Sequence, residues 1–208
     1  VRFVSNRSSG KMGYAIASAA RERGAEVVLV SGPTALIPPA GVEYVPVTTA
    51  EEMGKSLLMR LPWADTVIMA AAVADFRPTR SALQKLKKKD RMTSLDLEST
   101  EDILKQLAAR RTTQTLVGFA AETQDLLAHA REKLHAKAID LIVANDVTIK
   151  GSGFGSDFNQ VVLLDRTGHT KAFPLIPKRE LADQILDSIK TLHRKTRKPA
   201  PRSRRGNP

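Results

Sequence analysis

The chain has 208 residues, 42% of them apolar, enough for one domain of ordinary size with a substantial core. Its apolar runs are strand-sized, well short of the roughly 18–20 residues a membrane span needs. It has no cysteine and only four scattered histidines, which excludes disulfides, thiolate metal sites and a Cys nucleophile and argues against a zinc site. The net charge is +11, a balance that raises polyanion binding as a function.

No leader peptide is expected, because Val1-Arg2-Phe3 runs straight into polar residues. Residues 12–23 carry apolar side chains at helical spacing and stop at Gly24, a helix C-terminal signal. Residues 25–31 are a β-branched run ended by Gly32-Pro33, and 42–47 form a short strand after Pro38-Pro39. Thr48 or Thr49 opens a helix with Glu51 and Glu52 in its first turn, running to about Arg60. A buried strand is expected over 66–74, a polar Lys-rich surface loop over 77–94, a helix over 101–110 and a strand over 115–120. A helix over 122–137 and a strand over 141–144 follow. A glycine-rich connection, Gly151-Ser152-Gly153-Phe154-Gly155, then leads to two strands, 160–165 and 170–173, around Arg166-Thr167-Gly168. These read as a β-hairpin, and 178–193 as a final amphipathic helix.

The alternation predicts an α/β fold, a Rossmann-like doubly wound and mostly parallel sheet. The domain is expected to occupy 1–193, with 151–177 a hairpin-bearing extension. Residues 194–208 hold Arg194, Lys195, Arg197, Lys198, Arg202, Arg204 and Arg205 without an acid. That run explains most of the net charge and reads as a disordered basic tail, touching nucleic acid only weakly and in a salt-sensitive way.

Four segments lie at strand ends or loops where chemistry is expected. Ser5-Asn6-Arg7-Ser8-Ser9-Gly10-Lys11-Met12-Gly13 precedes a helix, whose exposed N–H groups suit an anion. It is neither a Walker A loop nor a dinucleotide G-x-G-x-x-G, and a plain helix cap is the other reading. Ala70 to Phe76 puts small side chains at a strand's carboxyl end, where open α/β sheets bind ligands. Asp75 there is either a cation ligand or a loop cap. Lys85-Leu86-Lys87-Lys88-Lys89 can close over phosphates or be a solvated charge run. In Gly118-Phe119-Ala120-Ala121-Glu122-Thr123, Phe119 either stacks on a base or fills the core. Lys133 and Lys137, four residues apart, share a helical face. Together these features support a nucleotide-binding α/β enzyme without His or Cys chemistry.

The motifs Ser5-Asn6-x-Ser8-Ser9-Gly10-Lys11-Met12-Gly13, Ala71-Ala72-Val73-Ala74-Asp75-Phe76, Lys85-Leu86-Lys87-Lys88, Gly118-Phe119-Ala120-Ala121-Glu122-Thr123 and Ala144-Asn145-Asp146 occur in one family's order and spacing. Over about residues 1–192 the chain resembles the bacterial phosphopantothenate–cysteine ligases, the C-terminal half of the bifunctional coenzyme A biosynthesis flavoprotein. The resemblance implies a cytoplasmic enzyme of coenzyme A biosynthesis that joins 4′-phosphopantothenate to L-cysteine at the expense of CTP, through an acyl-cytidylate. It implies Asn6 and Lys85 as catalytic residues and Asp75 beside Mg²⁺ and the phosphates. Arg2, Ser9, Gly10, Ala71, Ala72, Asp75, Glu101, Asp102, Ile103, Leu104, Phe119, Lys133 and Lys137 match nucleotide- or phosphate-binding positions. A homodimer is implied, and no FMN in this chain, since the flavin-dependent decarboxylase half is absent.

The sequence departs from the family in two places. The strand and Gly-Gly-Thr loop that usually precede the residue matching Arg2 are missing; that strand would lie centrally in the sheet. Thr100-Glu101 stands where the family often has Asn-Pro. Three other readings stay open: an inactive ligase remnant, an NAD(P)-binding oxidoreductase, and a basic nucleic-acid-binding module. The oxidoreductase should show a ribose-binding acid after the second strand, where Gly32-Pro33-Thr34 stands.

Overall fold

A computed structural model of the chain describes residues 3–80, 94–122, 124–146, 148–149, 151–152 and 155–196. The chain order is α1 (Lys11–Glu22), β1 (Val28–Ser31), β2 (Glu43–Pro46), α2 (Ala50–Arg60), β3 (Thr66–Met69), β4 (Phe76–Pro78) and β5 (Leu97–Ser99). It continues α3 (Ile103–Arg110), β6 (Thr115–Glu122), α4 (Leu126–Ala136), β7 (Leu141–Asp146), β8 (Phe158–Asp165), β9 (Thr170–Pro177) and α5 (Lys178–Thr196).

Local chemistry explains the helix ends. At the end of α1, Gly24 takes φ 85°, a left-handed value that costs glycine nothing. The Gly24 N–H then donates to Arg21 O and the Ala25 N–H to Ala20 O, which satisfies two terminal carbonyls. At α2, Thr49 and Glu52 form a reciprocal capping box: the Glu52 N–H donates to Thr49 Oγ1 at 3.1 Å and the Thr49 N–H to Glu52 Oε2 at 3.3 Å. Thr49→Ala is expected to cost about 1 kcal/mol, read as a fall of about 2–4 °C in Tm. An unchanged Tm would show that the cap contributes nothing.

The main sheet runs β3-β6-β7-β8-β9. The first three strands are parallel, and β8 and β9 are antiparallel. Side chains alternate across it, as the pleat requires. Val117 and Val143 face a layer shared with Met12 and Ile16 of α1 and Leu181 and Ile185 of α5. Leu116 and Ile142 face the opposite layer, with Leu107 of α3 and Leu134 of α4. Helices thus cover both faces, as in a doubly wound α/β domain.

Several expectations need correction. Among the described residues the strands form three sheets rather than one: β1 and β2 pair in parallel beside the main sheet, and β4 and β5 make a third. Helix α1 bridges the main sheet and the β1–β2 pair, since a Cβ on Gly13 would stand 3.8 Å from Ala70 Cβ and Tyr14 Oη donates to Ser31 Oγ at 3.3 Å. The hairpin expected as an extension is built into the main sheet, because Val161, Leu163 and Leu164 of β8 are buried core residues. The strand expected over 66–74 stops at Met69, and side chains then take the carbonyls a ladder would use: Asn6 takes Val73 O and Thr100 takes Ala74 O.

The loop expected over 77–94 begins in a strand, since β4 pairs antiparallel with β5. Glu122 ends β6 rather than opening a helix; α4 starts after Asp125, which sits at φ 46°. The last helix continues through 194–196, so the expected tail begins later. Arg2, Lys85 with its neighbours Lys87, Lys88 and Lys89, Thr123, and tail residues 197–208 lie outside the described residues. No helix among those described is long and apolar enough to cross a membrane.

Candidate functional site

The first wall of the site is the segment before α1. Gly10 is the N-cap of α1 with φ 73° and no side-chain cap. A side chain at Gly10 would meet only ordinary contacts with Thr34, Leu36 and Tyr14, so the backbone angle, not space, demands glycine. The Gly10 N–H donates to Ser8 Oγ at 3.3 Å, and Thr34 Oγ1 donates to Ser9 O at 3.3 Å. Asn6 is exposed and its amide donates to Val73 O at 2.9 Å. One hydrogen bond across 67 positions of sequence therefore joins the first motif to the second.

The second wall is the irregular chain after β3. Ala71 and Asp75 are exposed and Ala72 is half-buried. Thr100 fixes this turn twice: its hydroxyl donates to Ala74 O at 2.6 Å and its N–H to Asp75 O at 2.9 Å. That brings Glu101 to Leu104 beside Asp75. Asp102 caps α3 by accepting from the Lys105 N–H at 3.1 Å, and Glu101 accepts from Gln106 at 2.5 Å. Ile103 is buried, and Leu104 packs toward Gly118, where an added Cβ would stand 3.2 Å from Leu104 Cδ1. This role of Thr100, named from sequence only as a departure from the family, depends on a turn 25 residues away.

The third wall is the carboxyl end of β6 with α4. Lys133 Nζ meets Glu122 Oε1 at 2.5 Å, and Lys137 Nζ lies 3.5 Å from Asp102 Oδ2. Lys137 thus reaches the α3 cap. Phe119 is half-buried against the α1 and α5 layer, while Gly118 faces Ile139 and Leu104 on the other side. The structure therefore gathers Asn6, 71–75 and 101–104, and joins 102 to Lys137. The Phe119 ring lies on the opposite face of the sheet from Lys133 and Lys137.

Two lysines, Lys11 of the first motif and Lys178, which the sequence did not single out, support the first wall. Lys11 Nζ meets Asp157 Oδ1 at 2.7 Å and donates to Gly155 O at 3.1 Å. Lys178, which is buried, donates from Nζ to Ser156 O at 2.6 Å, and its backbone N–H donates to Asp157 O at 2.8 Å. The Lys11 hydrogen bond holds the Asp157 carboxyl below its ordinary value. Burial, and then the nearby Lys11 charge, lower the Lys178 ammonium. Lys11 therefore ties α1 to the start of β8. From sequence it had looked like part of an anion loop.

The donor set around Asp75 decides what kind of Mg²⁺ site it suits. Among the described residues no three His, Cys, Asp or Glu side chains cluster. A protein-built cage does not fit, but one exposed carboxylate does fit a Mg²⁺ carried by nucleotide phosphates.

The parallel strands covered by helices on both faces define a Rossmann-like α/β domain, and the glycine-initiated helix and polar segments gather at its strand carboxyl ends, the edge where such folds bind ligands. Residues 1–192 match the family described as "DNA/pantothenate metabolism flavoprotein C-terminal domain". The chain belongs to that family.

Over 197 residues it is 47% identical to the coenzyme A biosynthesis bifunctional protein CoaBC of Bacillus subtilis (strain 168), covering 94% of this chain and 48% of that protein. Over 203 residues it is 42% identical to the protein of that name from Mycobacterium tuberculosis (strain ATCC 25618 / H37Rv), covering 92% of this chain and 48% of that protein. The crystal structure of a CoaBC C-terminal domain superimposes with a TM-score of 0.80 at 41% identity, covering 94% of this chain and 88% of that one. The chain thus spans about half the length of the curated relatives it matches.

Proposed function

We propose that the chain is the phosphopantothenate–cysteine ligase unit of coenzyme A biosynthesis, working in the cytoplasm as a homodimer and using CTP. The observation that carries this reading is the Asn6 amide donating to Val73 O. It joins the segment that the family resemblance assigns to the acyl-cytidylate to the one it assigns to the nucleotide and its phosphates, at the sheet edge where α/β folds bind ligands. Family membership and the match to a CoaBC C-terminal domain support the same reading.

In this mechanism a carboxylate oxygen of 4′-phosphopantothenate attacks the α-phosphorus of CTP. The bond to the β-phosphate breaks, and pyrophosphate leaves. The cysteine amine then attacks the acyl carbon, CMP departs with the bonding pair, and the nitrogen loses its proton. Such chemistry needs positioning and charge neutralisation rather than a nucleophilic side chain, which suits a chain without cysteine. Asn6 donates to the acyl oxygen. Asp75 faces the phosphates, and Mg²⁺, when bound there with the nucleotide, neutralises phosphate charge. Glu101 to Leu104 and the backbone at Ala71, Ala72 and Phe119 line the nucleotide, and Lys133 and Lys137 supply ammonium groups. Ser9 and Gly10 shape the turn into α1, whose first-turn N–H groups suit an anion. Lys85 and Arg2 take their roles from the resemblance alone. No flavin is assigned to this chain.

The test is pyrophosphate release from phosphopantothenate and cysteine with CTP or ATP. Turnover with CTP well above that with ATP is expected, and equal or greater turnover with ATP would overturn the CTP assignment.

A further inference from the structure

Glu122 closes β6, opposite Asp146 of β7. Its side chain is only 13% exposed, yet it holds two side chains of α4. Lys133 Nζ stands 2.5 Å from Oε1 and His129 Nδ1 stands 3.3 Å from Oε2. Residues 129 and 133 are one helical turn apart, so one strand-end carboxylate receives one face of the helix. A half-buried carboxylate paired with a lysine whose side chain is 44% exposed gains little stability from the pair. What the contact does fix is direction. A lysine ammonium on four flexible carbons otherwise sweeps a wide shell. It carries three N–H donors, and Glu122 takes one, leaving others for oxygens of a ligand.

We propose that Glu122 is a positioning residue of the nucleotide site, acting through Lys133: it fixes the ammonium at the sheet edge where the nucleotide binds. This rests on the nucleotide reading above. Glu122→Gln keeps the shape and removes the charge, so it is the informative change.

The experiment measures CTP affinity by calorimetry, and KM for each substrate, in the full chain and in Glu122→Gln, Lys133→Met and the double variant. Glu122→Gln should weaken CTP binding about tenfold, the scale expected when a binding group is misplaced by a fraction of an ångström. The KM for cysteine and the Tm should change little. In the Lys133→Met background the same change should add less than about twofold, because an effect exerted through a partner vanishes with it.

CTP binding that falls in Lys133→Met but not in Glu122→Gln would overturn this proposal alone. So would two losses that simply multiply in the double variant. Absence of CTP binding by the unaltered chain would overturn the nucleotide reading and this proposal with it. Should Glu122→Gln unfold, Glu122→Asp serves: a partial loss supports the role, and unchanged affinity overturns it.

Discussion

Asn6→Asp is expected to lower the rate of phosphopantothenoylcysteine formation by about 10²–10³-fold, the loss seen when one preorganised donor is removed. The Asn6 amide donates to Val73 O at 2.9 Å, and its nitrogen carries a second N–H for an acyl oxygen. A carboxylate has no N–H. It would set one negative oxygen against the Val73 carbonyl and another toward the phosphates. Both effects act at the reacting end of the substrate, so CTP affinity should change far less than turnover. Single-turnover measurement of acyl-cytidylate and product separates the two. Near-normal product formation would refute the role given to Asn6. A loss confined to CTP affinity would make Asn6 a binding group.

The sequence made most of the helices and the parallel strands legible because each has its own local signal. Gly24 stops α1 by a backbone angle that other residues avoid, and Thr49 with Glu52 writes the start of α2 in four residues. The segment after β3 was not legible in the same way. Ala70 to Ala74 continues the small apolar pattern of a strand, yet Val73 O and Ala74 O accept hydrogen bonds from Asn6 and Thr100. Those partners lie 67 and 26 positions away, beyond any local pattern. The three-residue β4 and β5 are too short for a periodicity of two to show.

The site was legible as motifs but not as contacts. The resemblance named Lys133, Lys137 and Asp102 and placed Glu122 in a motif, but did not pair the lysines with these carboxylates. Glu122 was read as the start of a helix, since a Glu followed by helix formers gives no sign that the strand still holds it. Phe119 carried two readings from sequence. The alternation along β6 puts its ring with Val117, on the α1 and α5 side, so it cannot share a face with the α4 lysines. Lys11 sits in a segment whose backbone N–H groups read as suiting an anion. Only the fold brings Asp157 to within 2.7 Å of it.

At the opposite end of the sheet, Asp140→Ala is expected to destabilise the chain by about 3 kcal/mol, the lower end of the cost of breaking a buried ion pair. Asp140 is 6% exposed and its carboxylate is fully engaged. Oδ2 meets the Arg111 guanidinium and accepts the Leu116 N–H at 2.9 Å, while Oδ1 accepts from Arg166 Nη1 at 3.0 Å. One carboxylate thus fastens the turn before β6, the start of β6 itself and the β8–β9 turn. Alanine would leave two guanidinium groups without their shared anion and the Leu116 N–H without an acceptor. The adjoining cavity of about 160 Å³, lined by Thr112, Gln114 and Thr115, is polar enough to admit water, which holds the loss near the lower end. At about 2–4 °C per kcal/mol for a chain of this size, Tm should fall by about 6–12 °C. Asp140→Asn keeps an acceptor for Leu116 and should fall between alanine and the parent. Arg166→Ala removes a partner whose side chain is 50% exposed, so it should cost no more than about 1 kcal/mol. Thermal and urea unfolding of the three variants decide the matter. If Asp140→Ala and Arg166→Ala cost the same small amount, the carboxylate is not the fastening of this end of the sheet.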